Sequence, residues 1–177
     1  MLRAIKYRTL WACLCAFLTG CGPTKPEMLA APVMGYNHTS AAINRFSVNG
    51  AGGAGIGPHQ GGGKQSCCGV LPAQWYPGLT AVVEWEKDPN PTASRNWPEP
   101  VLSEARQRRL EEHALHYTHH RTEVEIPQYD SEFCSIKVHF LPCDQVQVNT
   151  TCLTPQHPDY PYKELFQPKE AMECSAP

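Results

Sequence analysis

Four histidines, His113, His116, His119 and His120, crowd one short stretch of the chain. On a helix, His116 and His120 would stand four residues apart on one face, a spacing at which two imidazoles can share a metal ion. The flanking residues do not complete that chemistry. HEXXH is absent, and no neighbouring carboxylate takes the metalloprotease role. Histidines at a helix C-terminus also interact favourably with the helix dipole while staying solvated. No metal or other cofactor is therefore assigned. Nucleophilic hydrolysis fares no better, because GxSxG does not occur. The paired carboxylates Glu84/Glu86 and Glu123/Glu125 fall on the expected solvent faces of strands. Without a site that meets the geometry of catalysis, the protein is expected not to be an enzyme.

The stretch "NGAGGAGIGPHQGGGKQSCC", Asn49 to Cys68, imitates two nucleotide loops. Gly50, Gly52 and Gly55 fit GxGxxG, but that pattern must open directly into a helix. Gly57 and Pro58 follow instead. In the near-match to a P-loop, Pro58 stands where the first glycine belongs, and Gln65 where Ser or Thr must follow the lysine. Nucleotide binding is excluded on these grounds. The expected structure is a long surface loop between strands, with glycine supplying unusual φ and close backbone approach. A loop held at both ends is a fair binding surface, and His59 and Lys64 are its strong polar handles.

The N-terminus reads as a targeting segment. Arg3, Lys6 and Arg8 precede the apolar run "TLWACLCAFL", which is too short to span a bilayer. "LTGC", Leu18 to Cys21, resembles the bacterial lipobox, whose cysteine is acylated after cleavage. Residues 1–20 are thus expected to be a lipoprotein signal peptide, with Cys21 the lipidated residue. Residues 21–32 would form an extended tether, stiffened by proline, and residues 33–177 one globular domain. Loss of three of the 15 basic side chains leaves 12 against 17 acidic ones, a formal charge of −5. That charge gives no footing for nucleic acid. With Gly22, rather than Asp, after the cysteine, similarity to sorted lipoproteins implies an outer-membrane anchor facing the periplasm.

Period-two patterning dominates the rest. Leu79, Ala81, Val83 and Trp85 share one strand face, as do Val124 and Ile126. Ile136, Val138 and Phe140 alternate with polar residues, turn residues follow at Pro142–Asp144, and Val146 and Val148 alternate again. This is a β-hairpin pattern. Centred on Cys143, it sets Val138 against Val148, Phe140 against Val146 and Cys134 against Cys152. The fold expected is mainly β: a small antiparallel β-sandwich or curled sheet with one inserted helix, braced by disulfides.

Six cysteines besides Cys21 remain after the signal: Cys67, Cys68, Cys134, Cys143, Cys152 and Cys174. A bridge needs Cα atoms within about 7 Å. Nine residues of extended strand span roughly 30 Å, which separates Cys143 from both Cys134 and Cys152. Cys134–Cys152 across the hairpin is the favoured pair. Cys67 and Cys68 would point to opposite faces of a strand, so each is expected to find another partner, with Cys143 and Cys174 as candidates.

"SEARQRRLEEHALHYTHH", Ser103–His120, is the expected helix, with Ser103 as N-cap and Leu110, Ala114 and Tyr117 as a narrow apolar stripe. The proline- and aromatic-rich "HPDYPYKELF", His157–Phe166, is expected to pack over a sheet edge.

Taken in order, "GYNHTSAAINRFSVNGAGG", "GGGKQSCCGVLPAQWYPGLTAVVEW", "VEIPQYD", "VHFLPCDQVQV" and "HPDYP" resemble an uncharacterised proteobacterial lipoprotein family, a domain of unknown function. Members of that family are often encoded beside phospholipase effectors of type VI secretion. The resemblance implies an immunity lipoprotein that binds and neutralises a lipase-type toxin in the envelope. His59 and Lys64 on the loop, with Arg108 and Tyr117 on the helix, are the residues expected to meet such a partner. Cys134, Cys152 and Cys174 depart from the family pattern. Two other readings stand beside it: a structural or envelope-maintenance lipoprotein without enzymatic activity, and a periplasmic metal-binding module built on the histidines.

Overall fold

The computed structural model describes residues 26–130, 133–167 and 174. The expected signal peptide and Cys21 lie outside the described residues. Two four-stranded sheets make the fold. One contains β1 (Met28–Asn37), β4 (Gly61–Pro72), β7 (Ile136–Phe140) and β8 (Val146–Asn149), in the order β4-β1-β7-β8. The other contains β2 (Ala42–Val48), β3 (Ala51–Gly53), β5 (Thr80–Asp88) and β6 (Thr118–Glu125), in the order β3-β2-β5-β6. A single α-helix, α1 (Glu104–Ala114), lies between β5 and β6.

The inward faces of both sheets meet in one core. Ala81, Val83 and Trp85 of β5, with the preceding Leu79, are all buried, as the period-two pattern requires. Val138 pairs with Val148 and Phe140 with Val146, the register expected of the hairpin. Phe140 is the keystone between layers: its ring meets Phe46 edge-on at 5.2 Å and Trp85 at 5.7 Å, both from the opposite sheet. Each such ring contributes on the order of 2–3 kcal/mol by its removal from water.

Sheet pairing departs from an all-antiparallel sandwich at one place. β1 and β7 run parallel, Val33 opposite Ile136 through Asn37 opposite Phe140. The whole second sheet lies between them in the chain, and so long a connection permits a parallel pair.

Residues 28–32, expected in the tether, instead form the first part of β1, Met28 lying opposite Pro72. Prolines suggested an extended linker, but a strand accepts proline at a bulge, where no N–H is needed. The register shift between β1 and β4 falls there: Ala31 faces Gly69 and Val33 faces Ser66. Pro32 thus stands against two residues, Cys67 and Cys68. These two are bonded to each other, across a cis peptide. The expectation of separate partners assumed strand alternation, which a bulge suspends. Cys134 and Cys152 are bridged with Cα atoms 4.8 Å apart, and Cys143 and Cys174 with Cα atoms 5.2 Å apart.

The helix is shorter than expected. Ser103 caps it, Oγ accepting from Arg106 N at 3.2 Å. It ends at Ala114, and Thr118 already opens β6. His119 and His120 therefore pair with Glu86 and Trp85 of β5 rather than continuing a helix. His116 and His120 do not share a helix face. The apolar stripe also fails as a core face, because no residue of α1 is buried. Clamps outside the core hold it instead. Arg106 and Arg109 lie over the Trp97 ring at 5.4 and 5.1 Å. Arg106 also donates to the carbonyls of Ser94, Trp97 and Glu99, and Arg109 pairs with Glu99 at 2.7 Å.

Candidate functional site

Asn49–Lys64 is not one open loop. Asn49 and Gly50 turn β2 into the short β3, and Asn49 Oδ1 accepts from Val82 N at 2.9 Å. Ile56 then bridges to Ile43, and β4 begins at Gly61. The glycines answer to close packing. A Cβ on Gly53 would enter the Phe46 ring, and one on Gly62, whose φ is +72°, would lie 2.8 Å from Tyr36 Cε1. Asn37, 2% exposed, ties the segment down. Its Nδ2 donates to Ala41 O at 2.7 Å and Gly57 O at 3.0 Å, while its Oδ1 accepts from Thr39 N at 3.0 Å.

Between this glycine segment and the C-terminal segment lies an open cleft of about 960 Å³. Its floor is aromatic. The Tyr36 ring stacks on His139 at 4.8 Å and 8°, and Phe166 meets Tyr36, His38 and His139 edge-on at 5.0 to 5.6 Å. Below the floor runs a hydrogen-bond chain. Asn149 Nδ2 donates to His139 Nε2 at 3.1 Å. The His139 proton must then sit on Nδ1, which donates to His38 Nε2 at 3.0 Å. Burial pushes the His139 imidazole down to about 3, with His38 and Lys137 adding their charge. Lys137 is itself pushed down to about 8 by burial, and Nζ donates to Thr151 O. The His139 ring stays neutral at physiological pH and serves as scaffold.

His59 and Lys64 both line the cleft, so two of the expected contact residues come together. Both are exposed, and among the described residues neither forms an ion pair. Among the described residues no Asp or Glu lines the cleft. A second groove, of about 430 Å³ on the outer face of the other sheet, is the opposite case. Its charges neutralise one another: Arg45 with Glu86 at 2.6 Å, Arg121 with Glu84 at 3.2 Å.

The other expected residues lie elsewhere. Arg108 sits on α1, 3.8 Å from Glu104 and largely exposed. Tyr117 follows α1, edge-on to His113 at 5.5 Å. His113 is taken up by Asp88 at 3.1 Å, His120 stacks on Trp85 at 4.9 Å, and His116 is exposed. Among the described residues no cluster of three or more metal-ligating side chains forms.

His38, His139, Asn149 and Phe166 were not singled out by the sequence. His139 lies between core residues Val138 and Phe140, where alternation assigns it to solvent. The C-terminal segment, with Tyr160 and Leu165 buried, covers that face instead. "HPDYPYKELF" was the available signal.

Residues 36–148 match the model of the family described as a protein of unknown function, DUF3304, and the chain belongs to that family. No curated protein and no solved structure matches the chain.

Proposed function

We propose that this chain is an envelope-anchored lipoprotein without enzymatic activity that acts as an immunity protein, binding and neutralising a lipase-type toxin of type VI secretion. Lipid on Cys21 would hold the domain at the outer membrane, facing the periplasm, where such a toxin meets its substrate. Anchoring raises the local concentration of the protector.

One observation carries the reading. α1 buries none of its residues, yet it is clamped rigidly, and it is flanked by Leu102 at 98% exposure and Leu115 at 83%. The core does not need this helix. A preordered helix with exposed apolar ends suits insertion into a groove, because little ordering entropy remains to be lost on binding. Arg108 on its exposed side adds a charged contact.

The test is calorimetric titration against the lipase-type product of the neighbouring gene, with lipase activity read in parallel. Tight binding with loss of activity is expected, and L102D/L115D with Arg108→Glu should abolish both. Absence of binding by oxidised, folded protein rejects the toxin partner. Inhibition that survives the triple variant rejects α1 as the contact.

A further inference from the structure

The cleft is a different surface from α1, and its chemistry points to a small ligand. We propose that it binds an amphiphilic anion, a carboxylate or phosphate head carried on an apolar chain.

Charge selects the head. The protein has more acidic than basic residues, 17 against 15, yet among the described residues no carboxylate lines this cleft. Lys64 stands at its glycine side beside His59, and among the described residues neither has a carboxylate partner, unlike the arginines of the second groove. A cation left unpaired beside a concave, partly desolvated surface attracts an anion more strongly than one in open water.

Shape and polarity select the tail. Apolar lining comes from Pro142, Pro155, Leu165 and Phe166, with Gln156 and Gln167 beside them. Phe166 is 41% exposed, so a ring face remains for contact. Three neighbouring rings fix its position. The volume falls in the range of small-molecule sites, roughly 300–1,000 Å³. Gly61 and Gly62 lie directly against Tyr36, where a Cβ would come within 2.5 Å of its Cα and 2.8 Å of its Cε1. The buried His38–His139–Asn149 chain holds the floor rigid, so the site is largely formed before the ligand arrives.

The experiment uses the full-length oxidised protein, titrated by calorimetry with octanoate, octyl phosphate and octanol in buffer free of charged detergent. Both octyl anions are expected to bind at least about ten-fold more tightly than octanol, and likewise than acetate or inorganic phosphate. A preference for octyl phosphate marks a phospholipid head as the source, and a preference for octanoate marks a free fatty acid. Lys64→Gln with His59→Gln, and separately Phe166→Ser, should each weaken the anions by about ten-fold. His59 and Lys64 are exposed and outside the core, and circular dichroism checks that Phe166→Ser, which loses ring contacts, keeps the fold. Octanol binding as tightly as the anions, no saturable binding of either anion, or unchanged affinity in both variants overturns the proposal. None of these readouts involves the toxin, so the site and the immunity reading fail separately.

Discussion

The imidazoles of His38 and His139 are joined by a 3.0 Å hydrogen bond, one ring at the cleft and the other wholly buried. The pair links a strand end near the start of the domain to one near its finish, and its buried member, His139, is neutral. Burying a charged imidazole here would cost far more than the bond returns.

That cost sets a pH dependence. His139 in the folded protein holds its proton only below about 3, against an ordinary value of 6.5. Between those values the unfolded chain binds a proton that the folded one refuses, so stability falls as pH drops through this window. The slope from this group is at most about 1.4 kcal/mol per pH unit. His139→Gln should be less stable at pH 7.5 by about 1–3 kcal/mol, through lost hydrogen bonds. The gap should narrow at pH 4.5. Urea denaturation at both pH values reads the difference, and a gap that stays constant rules out the neutral buried ring.

Neighbouring glycines should behave oppositely. A Cβ at Gly52 meets open space, whereas one at Gly53 meets the Phe46 ring. Gly52→Ala should stay within about 0.5 kcal/mol of wild type. Gly53→Ala should lose about 1–3 kcal/mol by overpacking the core beside Phe140. Thermal denaturation of the two variants suffices, and equal effects contradict the packing described.

The Cys134–Cys152 bridge closes 18 residues around the β7–β8 hairpin. Changing both to serine should cost about 3 kcal/mol by freeing the unfolded chain. Hydrogen exchange should place the first loss of protection in β8. Protection lost first in β6 would mean that the bridge does not brace the hairpin.

Trp97→Ala removes the surface on which Arg106 and Arg109 stack. The α1 amides should then exchange at least about ten-fold faster, while β5 and β7 keep their protection. Simultaneous loss across core strands would contradict the account of α1 as an external element.

The strands that bury one face were legible because their side chains alternate. Leu79 to Trp85 and the Val138/Val148 register read directly. The start of α1 was legible from Ser103; its end was not. No glycine or proline stands between Ala114 and Thr118, and what stops the helix is pairing of His119 and His120 with β5, a tertiary contact without a local signature. β1 and β4 escaped for a related reason. Pro32 and the glycine run look like linker and loop, and only the facing strand explains them. The cleft was half legible. His59 and Lys64 stood out as strong polar residues among glycines, whereas His139 looked like any polar residue on an outward face. Its burial depends on a covering segment that alternation cannot reveal.

The parallel seam between β1 and β7 has a consequence for how the molecule comes into being. A chain emerging N-terminus first must carry β1 with one side unpartnered until Ile136–Phe140 has followed it out. Until then the layer opposite β5 is missing Phe140, the ring that Trp85 and Phe46 pack against across the core. Contacts so distant in sequence make folding slow and leave sticky edges open meanwhile. Such a chain behaves as a late-closing, all-or-none molecule. Any truncation ahead of Ile136 should yield no stable fragment.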